Sequence, residues 1–287
     1  MNIILGVDGS SHSIDAIKAL AHFTPPEKLT LVHALSLPDL DHPMITPALR
    51  DKVVKEVEDQ LRQEGERILE RANAAVPSNC GLVERIQQIG SPAQVILETA
   101  RSAHADVIML GARGLGPLKE LVLGSVSHRV VSHAPCATFV VKSAIPALRT
   151  ILLPIEGEDD AERALKFLAL HPFRELEVVH VMTVWPQPQL PWPVTMGQSK
   201  LLEEEALSQA QEKLDAIVRR LESMTYQAHG DVGLGSPAFA ILEKARTLTP
   251  DLIVIGTHGR RGLSRFLIGS ISHSILHQAS CPVLVVR

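Results

Sequence analysis

"GSPAQVILETARSAHADVIMLG", Gly90 to Gly111, is written a second time in the same chain as "GSPAFAILEKARTLTPDLIVIG", Gly235 to Gly256. Both copies open on Gly-Ser-Pro. Serine suits a helix N-cap, and proline suits the first helical turn, where a missing N–H costs nothing. Apolar residues then recur at helical spacing, and each copy closes on a short apolar run ending in glycine, as expected of a strand covered on both faces. This register, a shift of 145, continues without a gap to the last residue and keeps about 22 of 53 positions identical. Upstream, "NIILGVDGSSHSIDAIKAL" lies over "TILLPIEGEDDAERALKFL" at a slightly larger shift. The period is too long for a solenoid repeat. The chain is therefore read as two duplicated domains, about 1–143 and 149–287, joined by "SAIPALR".

Each domain alternates strands with helices. In the first, Asn2–Asp8 reads as a strand, and Ser10 or Ser11 caps a helix running to Leu20. "LTLVHAL" follows as a strand, then an amphipathic helix over residues 50–75 and the strand "GLVERIQQI". After the helix capped by Ser91 come "ADVIML", the helix "SVSHRVVSHA" and the strand "ATFVVK". The second domain repeats the order with "TILLPIE", "LEVVHVM", "YQAHGDVG", "DLIVIG" and "PVLVVR". The expected fold class is α/β: two tandem domains, each a five-stranded parallel, doubly wound (Rossmann-like) sheet flanked by helices.

Composition removes several function classes. A formal charge of −4 gives no broad electrostatic footprint for nucleic acid, and 3% aromatic residues leave few base-stacking platforms. No apolar run approaches the roughly 20 residues of a membrane span. The opening "MNIILGVDGSS" reads as a strand entering a turn rather than a signal peptide. Cys80, Cys136 and Cys281 form no CxxC pair and no disulfide framework, which points to a reducing cytoplasm.

The candidate chemistry lies at the end of the fourth strand. "GARGLGPLKELVLGS", Gly111 to Ser125, has its counterpart in "GTHGRRGLSRFLIGS", Gly256 to Ser270. Glycines there let backbone N–H groups approach a phosphate, and Gly124-Ser125 then opens a helix whose N-terminus favours an anion. Ligands of open α/β sheets bind beyond the strand ends, where strand order reverses. Gly111-x-x-Gly114, nine residues, then Gly124-Ser125 resembles the nucleotide-binding signature of the universal stress protein family, and Gly256-x-x-Gly259, nine residues, then Gly269-Ser270 is a second full copy.

That resemblance covers the whole chain as a tandem pair and implies an ATP site in each domain, with ADP, AMP or Mg as further candidates. It implies that Asp8 lies beside the adenosine, that backbone at His33-Ala34 holds the adenine, and that Gly111 sits at the ribose. Gly114, Gly124, Ser125 and Ser127 would bind phosphates. The matching residues of the second domain are Glu156, His180, Val181, Gly256, Gly259, Gly269, Ser270 and Ser272. The family also implies pairing of the two domains within the chain and assembly into a homodimer.

The copies differ around Asp8, where "DGSSHS" becomes "EGEDDA". Glu158, Asp159 and Asp160 either stabilise an exposed helix N-terminus or disfavour a nucleotide. His258, Arg260, Arg261 and Arg265 offset them, against Arg113 and Lys119 in the first loop, so charge alone does not decide. The first site is expected to bind ATP more tightly. The segments "SLPDLDHPMITPAL" and "VWPQPQLPWPVTMGQ" are read as covers or lids, with a partner surface and simple packing as the alternatives. No P-loop, nucleophile elbow or zinc pattern is present. ATP is thus read as the bound ligand of a stress-response regulator, with at most slow hydrolysis or autophosphorylation at Ser125 or Ser127. An ATP-dependent transferase or ligase, and an interaction module holding another small molecule, stand as alternatives.

Overall fold

A computed structural model of the chain describes residues 1–38, 46–114, 123–186, 196–257 and 268–287. It divides into two compact units, Met1–Ala144 and Ile145–Arg287. Unit 1 runs β1 (Asn2–Gly6), α1 (Ser11–Ala19), β2 (Lys28–Leu35), α2 (Pro47–Ala75), β3 (Leu82–Ile89), α3 (Pro92–Ser102), β4 (Val107–Gly111), α4 (Ser125–His133) and β5 (Ala137–Val141). Its strands are parallel in the order β3-β2-β1-β4-β5. Unit 2 runs β6 (Thr150–Pro154), α5 (Glu158–Leu168), β7 (Val178–Trp185), α6 (Met196–Ser223), β8 (Gln227–Leu234), α7 (Pro237–Leu248), β9 (Leu252–Gly256), α8 (Ser270–Gln278) and β10 (Val283–Val286). Its order, β8-β7-β6-β9-β10, is the same doubly wound plan. Much of each cover segment, residues 39–45 and 187–195, lies outside the described residues.

Local sequence explains the element boundaries. Ser10 rather than Ser11 caps α1, its Oγ accepting from the Ser13 N–H at 3.2 Å. Helix α2 begins at Pro47, earlier than the charge pattern alone indicates, because Thr46 accepts from the Leu49 N–H at 3.4 Å. Ser91 occupies the cap position of α3, but its side chain makes no capping hydrogen bond. The outer strand β3 keeps polar side chains, and Lys28 on β2 pairs with its Glu84 at 2.6 Å. Such charges suit a strand at the sheet margin.

Alternation along the strands divides the core of unit 1 between two faces. Ile4, Val32, Ile108 and Leu110 meet Val95, Ile96 and Ala100 of α3 and Val130 of α4. Elsewhere in the unit Phe23 and Phe139, both fully buried, meet edge-to-face with ring centroids 5.3 Å apart. Phe23 follows α1 and Phe139 belongs to β5, so the pair fixes the helix that carries the first-strand turn. Phe23→Ala is expected to cost about 3–5 kcal/mol through lost burial and the cavity left behind. Denaturant unfolding checks this, and a loss below about 1 kcal/mol would mean that α1 is anchored elsewhere.

Candidate functional site

In unit 1 strand order reverses between β1 and β4, so the crevice past these two ends is where a ligand belongs. Beyond β1, the Val7 N–H donates to the Val32 carbonyl at 2.9 Å, and the chain then leaves the sheet at Asp8. Gly9 turns at φ +80, in the left-handed region that glycine tolerates. Across that turn Asp8 Oδ1 accepts from the Ser10 N–H at 3.0 Å. Asp8 Oδ2 lies so close to Gly114 that any Cβ there would overlap it. Glycine at 114 thus lets the carboxylate and the loop share one place.

The end of β4 is packed just as closely. A Cβ on Gly111 would fall 2.6 Å from the His12 carbonyl carbon. Helix α4 is tied to the same strand end: Ser127 Oγ donates to the Gly111 carbonyl at 2.7 Å, and the Gly124 N–H donates to the Ala112 carbonyl at 2.7 Å. Gly124 is the N-cap of α4 and no side chain among the described residues caps that helix, so its first-turn N–H groups, starting at Ser125, suit an anion. Ser125 is exposed beside them. Ser127 is buried and its hydroxyl donates to the Gly111 carbonyl, so it braces the strand end.

His33 and Ala34 divide their duties. The His33 imidazole bonds the Val7 carbonyl through Nδ1 at 2.8 Å, and its Cδ2 lies against Gly65 of α2. Its ring is structural. Main-chain groups alternate sides along a strand, and Val32 turns its carbonyl to β1 while Leu35 turns its carbonyl to Gly90. Ala34 therefore directs its N–H and C=O to the side of Val32, past the end of β1, and His33 directs its own toward β3. Of the pair, Ala34 offers a donor and acceptor to the crevice. Arg71 of α2 escaped the sequence reading: a Cβ on Gly9 would lie 3.5 Å from its Nη2, and its ion pair is with Glu64 of its own helix at 3.8 Å. Only the turn of a long helix over the Gly9 loop brings it there.

Unit 2 keeps this frame. Ser272 Oγ donates to the Gly256 carbonyl at 2.8 Å, the Gly269 N–H donates to the Thr257 carbonyl at 2.8 Å, and Gly269 caps α8 ahead of Ser270. Ser272 thus braces its strand as Ser127 does. Gly259, with His258, Arg260, Arg261 and Arg265, lies outside the described residues, as does Lys119 of the first loop.

One expectation is corrected. His180 and Val181 do not stand where His33 and Ala34 do, because they pair with Leu152 and Leu153 inside the β6–β7 ladder. The Ile155 N–H donates to the Met182 carbonyl at 2.8 Å, as Val7 does to Val32, so the residues past the ladder are Thr183 and Val184. The similar strings "LVHAL" and "VVHVM" align the histidines one residue short of the first-strand alignment, while the connection before β7 is two residues longer, so His180 stands three positions early. His180 instead lies against its register partner His229, ring centroids 5.1 Å apart. Burial, then the neighbouring His229, holds its pKa below the ordinary histidine value.

The acids of unit 2 also differ from their sequence reading. Asp160 is only 8% exposed, and its carboxylate lies over Gly256, where a Cβ would overlap it. His12 holds the matching position in unit 1. Arg163 Nη1 sits 3.4 Å from Asp160 Oδ1. Burial raises the Asp160 pKa to about 6, with Arg163 opposing and Glu156 and Asp159 adding to the rise. Beside it opens a cleft of about 1200 Å³ bounded by Glu156, Asp160, Thr183, Trp185, Lys213 and Arg220.

Because the folded pKa of Asp160 lies above the ordinary aspartate value of 3.8, the folded unit holds more protons than the unfolded one between the two values. The protonated carboxyl contributes stability at low pH, and the contribution is lost as pH rises through about 6. Asp160→Asn should therefore raise the unfolding midpoint of unit 2 at pH 7.5 and leave it nearly unchanged at pH 4. Thermal unfolding at both pH values measures this. A variant less stable than wild type at pH 7.5 would show that the Arg163 pair outweighs the burial of charge.

Comparison with known proteins gives the same organisation. The model of the Universal stress protein family matches residues 1–142 and 147–287. Universal stress protein Rv2005c of Mycobacterium tuberculosis is 28% identical, over 99% of this chain and 96% of its own. Universal stress protein MJ0531 of Methanocaldococcus jannaschii is 31% identical over 52% of this chain and 87% of its own. The crystal structure of a universal stress protein from Archaeoglobus fulgidus shares the fold, with a TM-score of 0.71 and 18% identity, over 100% of this chain and 96% of that one. No helix among the described residues is long and apolar enough to cross a membrane. With both halves matched and the sheet order repeated, the chain belongs to the universal stress protein family, as a tandem pair of its domains.

Proposed function

We propose that the chain is an ATP-binding regulatory protein of the stress response, with unit 1 holding the nucleotide as a ligand. The observation that carries this reading is the convergence of three unlike groups on one crevice. The Asp8 carboxylate, packed on Gly114, suits the hydrogen-bond donors of an adenosine. The main-chain donor and acceptor of Ala34 suit an adenine edge. The uncapped N-terminus of α4 at Gly124-Ser125 suits phosphate, and the ribose is assigned beside Gly111 at the end of β4. These groups fit a nucleotide by kind and order, and Arg71 adds a cation at the Gly9 turn. ADP and AMP share the adenosine contacts, and Mg accompanies a triphosphate.

Bound ATP supplies a triphosphate whose presence or absence is the signal. Ser125, exposed at the helix start, is the hydroxyl placed for slow phosphorylation, whereas the Ser127 proton is already held. A homodimer in a reducing cytoplasm belongs to the same proposal, and mass in solution near twice 31.2 kDa is its expected sign.

Gly114→Asp sets a second carboxylate against Asp8 and should weaken ATP binding at least about tenfold, equivalent to about 1.4 kcal/mol. Calorimetric titration of wild type and variant measures it. Absence of any adenine-nucleotide binding by wild type at millimolar concentration would overturn the reading. Steady-state ATP turnover above about 1 s⁻¹ would favour the transferase or ligase instead.

A further inference from the structure

We propose that the chain binds one nucleotide, in unit 1, and that Asp160 and Glu162 are the residues that close unit 2 to it. This inference rests on the ATP reading of unit 1 and deepens it. Formal charge barely separates the two clefts. Among the described residues, the cleft of unit 2 is lined by six carboxylates and three cations, a net of −3, and the matched positions of unit 1 carry four carboxylates and two cations, a net of −2. The arrangement of those charges separates them.

Matching the burial pattern of α1 to that of α5 sets His12 against Asp160 and Ile14 against Glu162. Matching α2 to α6 in the same way, with Gly65, Ile68 and Ala72 on Leu214, Ile217 and Leu221, sets Arg71 against Arg220. In unit 1 Arg71 pairs within its own helix at 3.8 Å and faces the Gly9 turn. In unit 2 Arg220 reaches across to α5 and grips Glu162 with both arms, Nη1 on Oε1 and Nη2 on Oε2, the latter at 3.1 Å. A two-armed guanidinium–carboxylate pair fixes geometry as well as charge. The Glu162 carboxyl is accordingly held below its usual pKa, by the Arg220 hydrogen bond first. Lys213 lies 4.0 Å from Glu158, a loose and exposed pair that adds little.

Two consequences follow for a polyphosphate. The arginine facing the crevice of unit 1 is held by a loose pair within its own helix, at 3.8 Å, whereas its counterpart in unit 2 is gripped in two arms by a carboxylate of α5. The end of β9, where unit 1 presents the backbone of His12, carries instead the buried carboxylate of Asp160. An incoming anion must both displace Glu162 from Arg220 and approach Asp160. Unit 1 asks neither. The Thr183–Val184 backbone and the glycine frame of unit 2 remain, so restoring the residues of unit 1 at two positions should reopen the site.

The test is the stoichiometry of Mg-ATP on the full chain by equilibrium dialysis. Wild type should hold one ATP per chain, and Asp160→His combined with Glu162→Ile should hold two. Circular dichroism and the unfolding profile establish that the variant is folded. Should it not fold, the reciprocal pair in unit 1, His12→Asp with Ile14→Glu, decides, with expected stoichiometry falling from one to zero while the unfolding profile is kept. Two ATP per wild-type chain, a folded unit 2 variant that stays at one, or a reciprocal variant that keeps its ATP would each overturn the inference and leave the ATP reading intact. Zero ATP on wild type would overturn the ATP reading itself.

Discussion

The site depends on how closely a helix and a loop approach the end of a strand that bears no side chain. Gly111 ends β4 with the His12 backbone where its Cβ would be, and Gly114 does the same for the Asp8 carboxylate. Overlap at this range with backbone atoms has no flexible end to yield, so larger residues would push α1 off the sheet. Ser127 and Gly124 then tie α4 to the same few atoms of β4 and its loop. An uncapped helix N-terminus, a carboxylate and a free stretch of β2 are thereby held in one crevice by contacts among strand ends.

Duplication copied that frame and left its occupants free to change. Ser272 and Gly269 repeat the bonds of Ser127 and Gly124 almost to the tenth of an ångström. The start of the helix after the first strand was rewritten around Asp160 and Glu162, and with it the partner of one arginine. Buried Asp160 is a costly residue at neutral pH, since desolvation opposes its charge. A carboxylate kept there against that cost is more consistent with excluding an anion than with supporting the fold.

Much of this was legible in the sequence, and the failures have physical causes. The Gly-Ser-Pro repeats and apolar strands marked the sheet and its duplication because glycine, proline and buried strands impose local rules. The glycine spacing marked the strand-end loop for the same reason. The register of β7 was not legible: matching histidines outweighed a lengthened connection, and one ladder fixes register only through pairing with β6. Ser127 read as a phosphate ligand because a serine at a helix start offers a hydroxyl, while its bond to Gly111 depends on a strand sixteen residues earlier. Arg71 and the Arg220–Glu162 pair were invisible for a similar reason: packing of a long helix brings Arg71 to the Gly9 turn and Arg220 to α5. Asp160 stood in plain view, but its burial comes from packing over Gly256.

The most direct measurement is a crystal structure of the full chain grown with a non-hydrolysable ATP analogue. Its predicted result is the adenine on Ala34, the ribose beside Asp8 and Gly111, and the phosphates on the α4 N-terminus of unit 1, with Arg220 still on Glu162 in unit 2. Analogue bound in unit 2 with that pair opened, or nucleotide density away from the Asp8–Gly114 contact in unit 1, would contradict it.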